Sequence, residues 1–515
     1  MKDYSYYCTW AAQNYMYGRG DNELDPAELE GDVGAAHARG YMTEETIFGE
    51  NGLCNFYPEV RKHLYFVLDD GWDVPKVMQK DPHLYPGGLV VDEERFPNFT
   101  GKPWERLAKL NKALKQRGWA GLGLWIAAQE APVPDDPAQS LTGALQEEYW
   151  KERLEWSERA GVHYWKVDWG AHGGDMDFRR RLTAWGKRYA PNLTIEQAVC
   201  QACYNDDGSQ YDVEKLVIRS GNVDPKIVEY EVELLQNADV LRSYDVFGQL
   251  SVVQTIARVA AVLEAMNGKH PEGAAILNCE DECMIGASLG LSVGIMRHPW
   301  MGQRVAGDPD CAFPKNDRNF KKRLNEVTRT VAWQQFCPPF GCTQEEVHAS
   351  EEWLKDRWHF QKGETWMNAA IGQVVEQKAP AVLSRGVELP YVECEGEPPF
   401  VTASAHAGCA AIATHGRTDV NRSWYEPLAD VRMTLPMGIE KIGIFGRYRS
   451  LTIEGLQAQG KRVLARDLLG GETFDLTAQC ASETLMLDGA AIERIGLSSA
   501  SAGDQSCPGM VVWME

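Results

Sequence analysis

The sequence lacks a long apolar run. Its longest uncharged apolar stretch, Cys283 to Met296, has 14 residues. A membrane-spanning helix needs about 18 or more, so none is expected. Basic excess is also missing. Lys and Arg number 52 against 74 Asp and Glu, a net charge of -22, and such a surface repels nucleic-acid phosphates and anionic lipid. No basic cluster carries interleaved aromatics. Nucleic acid and membrane surfaces are therefore disfavoured as partners, and a neutral substrate is easily accepted. There is no internal repeat and no low-complexity segment. The opening Met1-Lys2-Asp3-Tyr4-Ser5 lacks a charged segment followed by an apolar one. The 13 cysteines are odd in number and scattered, which suits a reducing compartment better than a disulfide framework. A cytoplasmic location is the expectation.

What is present reads as globular. Hydrophobic residues make up 44% and charged residues 24% of 515, which excludes wholesale disorder. The length suits one large barrel with a companion domain, or about three domains. From the N-terminus to about residue 370, short apolar runs alternate with amphipathic helices. Pro103 to Arg117 reads as a helix stopped by Gly118 and followed by the strand Leu122 to Ala127. Glu147 to Ala160 is a second helix, ended by Gly161 and followed by Val162 to Trp169. Leu250 to Met266 is a third, after the strand Val240 to Val246. Repeated helix-then-buried-strand units predict a parallel α/β architecture, and their number suits a (β/α)8 barrel over residues 1–370. From 371 to 515 helical patterns fade, and short runs such as Val431 to Leu435 and Lys441 to Phe445 are separated by Gly, Asp and Asn. This predicts an antiparallel β-sandwich.

In such a barrel, chemistry sits where strands end. The first run ends at Trp10, the second in Asp69-Asp70-Gly71-Trp72 and the third near Trp125. The fourth ends at Asp168, preceded by Lys166. The fifth, Leu193 to Ile195, leads to Glu196. The sixth contains Arg242 and ends at Asp245. The seventh, Ala274 to Leu277, precedes Asn278-Cys279-Glu280-Asp281-Glu282. The eighth is either Ser292 to Met296 or a later run from Pro299. Carboxylates and tryptophans thus converge on one mouth. Acids accept hydrogen bonds from hydroxyls and indoles stack on pyranose faces, so the combination suits a sugar. Glycoside hydrolysis needs a pair of carboxyl groups as well.

Six ordered motifs carry a resemblance: Tyr7-Cys8-Thr9-Trp10, Phe66-Val67-Leu68-Asp69-Asp70-Gly71-Trp72, Arg95-Phe96-Pro97, Gly123-Leu124-Trp125, Lys166-Val167-Asp168 and Arg242-Ser243-Tyr244-Asp245. Together they resemble glycoside hydrolase clan D, the α-galactosidase and raffinose-synthase-like families 27 and 36. The resemblance spans roughly residues 5 to 300. It implies a retaining, exo-acting α-glycosidase acting on a small oligosaccharide or glycoside. Asp168 would be the nucleophile and Asp245 the acid/base. Asp69 and Asp70 would hold sugar hydroxyls, Lys166 and Arg242 would donate to the glycone, and Trp10, Trp72 and Trp125 would form its aromatic walls. Glu196 occupies the strand that senses the substituent at the second sugar carbon, but Ile195-Glu196-Gln197-Ala198 lacks the Cys-Glu-Trp signature of family 27. Galactose and N-acetylgalactosamine both stay open. Asp281 stands for the acid of the seventh-strand Asp-Pro-Asp-Met, which is absent here. A transglycosylase of the raffinose-synthase type and a non-catalytic sugar-binding protein are the alternatives.

Plainer readings stand beside these. Asp69-Asp70-Gly71 could form a turn with a helix cap, and Asp245 could cap the helix that follows. Cys200/Cys203 and Cys279/Cys283 invite a zinc reading, but no second close pair supports it and small buried cysteines are common. Neither a metal nor a cofactor is expected. Self-association stays open.

Overall fold

The computed structural model describes residues 4–14, 38–76, 88–131, 141–198, 223–242, 249–269, 275–297, 317–360 and 372–515. Eight parallel strands close a barrel in sequence order: β1 (Tyr6–Cys8), β2 (Tyr65–Leu68), β3 (Gly121–Ile126), β4 (Tyr164–Val167), β5 (Thr194–Ala198), β6 (Val240–Arg242), β7 (Ile276–Glu280) and β8 (Ser292–Ile295). β8 pairs back onto β1, with Tyr6 opposite Gly294. The eighth strand is therefore the earlier of the two sequence alternatives. The fifth and seventh run further than their apolar cores suggested, to Ala198 and Glu280.

Side chains alternate across each strand. One parity (Tyr7, Phe66, Leu68, Leu122, Leu124, Trp165) packs outward on the helices. The other parity points inward, where Tyr6, Cys8, Tyr65, Val67, Tyr164 and Met296 form a separate buried cluster. Room for these aromatics comes from small neighbours. A Cβ on Gly294 would lie 2.7 Å from the Tyr6 hydroxyl.

The helices around the barrel follow from local signals. After the short α1 (Trp10–Asn14) and α2 (Glu44–Phe48), α3 (Pro103–Gln116) starts with proline in its first turn, where the missing N–H costs nothing. The Glu105 carboxylate accepts from the Lys102 amide at 2.9 Å. α4 (Gly143–Ala160) ends at Gly161 with φ 66°, a left-handed cap that suits glycine. α5 (Met176–Tyr189) is capped by Asp175, whose carboxylate accepts from the Phe178 amide at 2.9 Å. α6 (Pro225–Leu235), α7 (Ser251–Met266), α8 (Cys283–Leu289) and α9 (Asp317–Gln334) follow. Among the described residues, no helix is long and apolar enough to cross a membrane.

Beyond α9 the chain builds mostly antiparallel sheets. One has eight strands, running from Gly470–Asp475 through Val463–Asp467, Gly509–Met514, Lys441–Phe445, Cys409–His415, Phe400–His406 and Val382–Arg385 to Val347–Ala349. A five-stranded sheet covers one face, and residues of both, such as Ile412, Ile444, Met433 and Ile453, share a core. Three of the joins are parallel: Val382–Arg385 with Phe400–His406, Cys409–His415 with Lys441–Phe445, and Asp430–Thr434 with Ser450–Glu454. The other face of the larger sheet packs on the barrel. Cys409, Ala411, Ala413 and Phe445 meet Ala287 of α8 and Trp333 of α9. A Cβ on Gly443 would sit 2.9 Å from the Trp333 ring, so glycine there lets sheet and helix close. A buried ion pair ties the same face: Arg329 Nε of α9 stands 3.0 Å from Asp467 Oδ1.

Candidate active site

The inward parity of the strands delivers a charged knot to the C-terminal end of the barrel. β2 leads to Asp69, β4 carries Lys166 and leads to Asp168, β5 carries Glu196, β6 ends in Arg242 and β7 ends in Glu280. Asp69, Lys166, Asp168, Glu196 and Arg242 are all buried. Lys166 Nζ lies 2.7 Å from Asp69 Oδ2 and 3.7 Å from Asp168 Oδ2. Arg242 approaches Asp168 Oδ2 at 3.5 Å, Glu196 Oε1 at 3.9 Å and Glu280 Oε2 at 2.6 Å. Asp168 is thus held between two cations. Its Oδ2 also accepts from the Trp125 indole at 3.1 Å, and its Oδ1 accepts from the Trp169 amide at 3.0 Å. Burial would deprotonate Lys166, but the charge of Asp69, with that of Asp168, outweighs it and holds the ammonium above its ordinary value.

The first-strand motif has a physical role here. The Cys8 thiol donates to Asp69 Oδ2 at 2.9 Å. Burial and the Asp69 charge push that thiol well above its usual value, so it serves as a neutral donor. Thr9 Oγ1 accepts from the Asp69 amide at 2.9 Å and donates to Gln13 at 2.7 Å. The Asp70 amide donates to Asp69 Oδ1 at 2.9 Å. Asp69 is therefore fixed from three sides.

Glu196 lies deeper than a strand-end residue. It is the third residue of β5, fully buried, and accepts from Tyr6 Oη at 2.9 Å and Tyr164 Oη at 2.8 Å. Burial raises its pKa against the pull of Arg242 and the two phenols.

Four sequence candidates are placed beside the knot. Asp70 has the opposite strand parity to Asp69, and Arg39 Nε reaches its two oxygens at 2.9 and 3.0 Å. Burial, opposed by Arg39, pushes it up to about 6. Trp72 is fully buried, and its indole donates to the Trp125 carbonyl at 2.9 Å; it supports Trp125 from below. Asp281 has φ 58° and turns away from β7. Its Oδ1 accepts from the Met296 and Arg297 amides at 3.0 Å each and pairs with Arg323 of α9. Its position closes the β7–β8 corner. Trp10 is half-buried in α1 and packs on the inward aromatic cluster. Asp245 and the Cys200/Cys203 pair lie outside the described residues.

Glu280 and Arg179 are among the residues at the site that were not singled out from the sequence. Glu280 takes the shortest contact to Arg242. Buried Arg179 of α5 donates from Nη2 to the Asp168 carbonyl at 3.1 Å and from Nη1 to Gln197 Oε1 at 2.7 Å, which pins the end of β4. Among the described residues, no group of three or more His, Cys, Asp or Glu is arranged to hold a metal. The Cys279 and Cys283 thiols donate to the carbonyls of Glu282 and Asp281 at 3.1 and 3.6 Å.

No family model matches the chain, and no curated protein matches it. Solved structures do. The chain is similar to a GH27 β-L-arabinopyranosidase from Geobacillus stearothermophilus, at 9% identity and a TM-score of 0.42, over 99% of this chain and 96% of that one. It is similar to an α-galactosidase from Saccharomyces cerevisiae solved with raffinose, at 9% identity and a TM-score of 0.37, over 100% and 98% of the two chains. An Anoxybacillus α-amylase is matched at 10% identity and a TM-score of 0.41, over 99% and 98%. These values describe a likeness. The fold rests on the barrel's own register.

Proposed function

We propose that this protein is a retaining, exo-acting α-glycosidase, α-galactosidase-like in its glycone, with Asp168 as nucleophile and Asp245 as acid/base. Its substrate is a small oligosaccharide or glycoside. The observation that carries the reading is the setting of Asp168: a carboxylate at the end of the fourth barrel strand, buried, flanked by Lys166 and Arg242 and oriented by the Trp125 indole. Two nearby positive charges keep a carboxylate ionised, and fixed donors hold it in one orientation for attack. The ordered motifs that resemble clan D supply the anomer and the identity of the second acid.

In the first step a carboxylate oxygen of Asp168 bonds to the anomeric carbon while the bond from that carbon to the leaving oxygen breaks. Asp245 gives its proton to the leaving oxygen. In the second step water bonds to the anomeric carbon, Asp245 takes a proton from it, and the bond to Asp168 breaks. Lys166 and Arg242 stay charged throughout and hold Asp168 in place. The test is a panel of aryl α- and β-glycosides of galactose, N-acetylgalactosamine, glucose and arabinose. One α-glycoside should be cleaved with retention. Asp168→Asn should fold and lose about 10³-fold or more in kcat. Near-normal turnover by that variant would overturn the assignment.

A further inference from the structure

Glu280 is the acid the ordered motifs pass over, and it forms an ion pair with Arg242 inside the knot. It ends β7 on the inward parity, in register with Gly294 of β8. Its Oε2 stands 2.6 Å from Arg242, against 3.5 Å from Arg242 to Asp168 Oδ2. The two carboxylates contact different nitrogens of one guanidinium, Nη1 for Glu280 and Nη2 for Asp168. A single cation is thus shared, and the sharing is unequal.

We propose that Glu280 is a positioning residue that draws Arg242 away from Asp168 and so keeps the nucleophile from being over-stabilised. A carboxylate nucleophile must be ionised, yet every further unit of stabilisation of its anion weakens its attack. Lys166 already supplies one positive charge to Asp168. If Arg242 closed fully on Asp168 as well, the anion would be held too tightly.

Among the described residues the charged and polar groups around Asp168 are the following, and the proposed acid/base Asp245 lies outside them. Lys166 comes from its own strand, Asp69 with the neutral Cys8 thiol from β2 and β1, Glu196 from β5, Arg242 from β6 and Glu280 from β7. The Trp125 indole of β3 is uncharged, and Arg179 of α5 donates to the Asp168 backbone carbonyl. The inward residues of β8 are Ser292, Gly294 and Met296, and none is charged. Removing the Glu280 charge therefore changes this set in one direction. It deletes a negative neighbour and releases a positive one, and both favour the ionised form of Asp168.

The inference rests on Asp168 being the nucleophile, so the experiment separates the two. In Glu280→Gln, the acid limb of kcat/KM should move to lower pH by about one unit, with kcat reduced about tenfold or more. Glu280→Met removes the charge by a second route and should move the limb the same way. Glu280→Asp keeps the charge and should leave the limb near its wild-type position. A purely structural role would lower activity without moving the limb, or would lower it alike in all three variants. If Asp168→Asn is inactive and neither neutral variant shifts the limb, the role given to Glu280 is wrong and the nucleophile stands. If Asp168→Asn retains activity, the nucleophile assignment falls and this inference with it.

Discussion

Replacing Lys166 by methionine removes the charge at the centre of the knot while keeping an unbranched chain of similar length. At an effective dielectric of about 20, the contacts at 2.7 Å to Asp69 and 3.7 Å to Asp168 correspond to about 6 and about 4 kcal/mol of attraction. Much of this offsets the cost of burying the ammonium. Breaking a buried pair by removing one partner costs about 3–5 kcal/mol, and that is the expected loss of stability at neutral pH. The molecule can recover part of it by protonating a carboxylate. Lys166 favours the ionised form of Asp168, so without it Asp168 keeps its proton to higher pH. The acid limb of kcat/KM should rise by about 1–3 units, opposite in sign to the Glu280 variants. The stability deficit in urea should shrink between pH 7 and pH 5, because protonation relieves the uncompensated charge. Both are read on purified Lys166→Met, with the aryl glycoside that the wild type cleaves and by urea unfolding. An acid limb that stays put, or moves down, would refute the electrostatic reasoning.

Two predictions concern stability alone. Arg329→Met should cost about 3–5 kcal/mol, since it leaves the Asp467 carboxylate buried between α9 and the large sheet without its cation; a loss below about 1 kcal/mol in chemical denaturation would show that backbone amides alone satisfy Asp467. Asp73, buried and accepting a hydrogen bond from the Leu89 backbone amide at 3.1 Å, is pushed up to about 8 by burial, the neighbouring Asp70 adding to it. A carboxyl raised in the folded state stabilises the fold below its ordinary value and loses that contribution as pH climbs through about 8. Asp73→Asn should therefore match the wild type near pH 4 and exceed it increasingly up to about pH 8, levelling off at about 6 kcal/mol; a gap that is flat with pH would contradict this.

The barrel was legible because helix-then-strand units recur along the chain, and most of the strand-like runs lead into a polar residue. Side-chain parity within those ends was the signal left unread. Asp69 and Asp70 are adjacent, yet only Asp69 shares the parity of inward Val67, and Asp70 goes to Arg39. At β7, Asn278 and Glu280 share a parity and Asp281 has the other. A motif comparison favoured Asp281, whereas counting by two from Asn278 selects Glu280. Glu196 appeared as a strand end because the polar run Glu196-Gln197 interrupts the apolar pattern. Phenols from Tyr6 and Tyr164 satisfy its carboxylate inside the barrel, so the strand continues. Arg39 and Arg179 reach in from a single helical turn and a longer helix, where no local pattern marks a guanidinium as inward. In the C-terminal sheets, strand positions were readable, but alternation carries no information on pairing direction, and the three parallel joins followed only from the structure.

The account stands on the covalent role of Asp168. A fluorinated glycosyl fluoride of the preferred glycone, which forms the glycosyl-enzyme quickly and hydrolyses slowly, should inactivate the protein with one sugar per chain. Peptide mass spectrometry should place that sugar on Asp168. A sugar found on another carboxylate, or inversion at the anomeric carbon with no adduct while turnover continues, would contradict it.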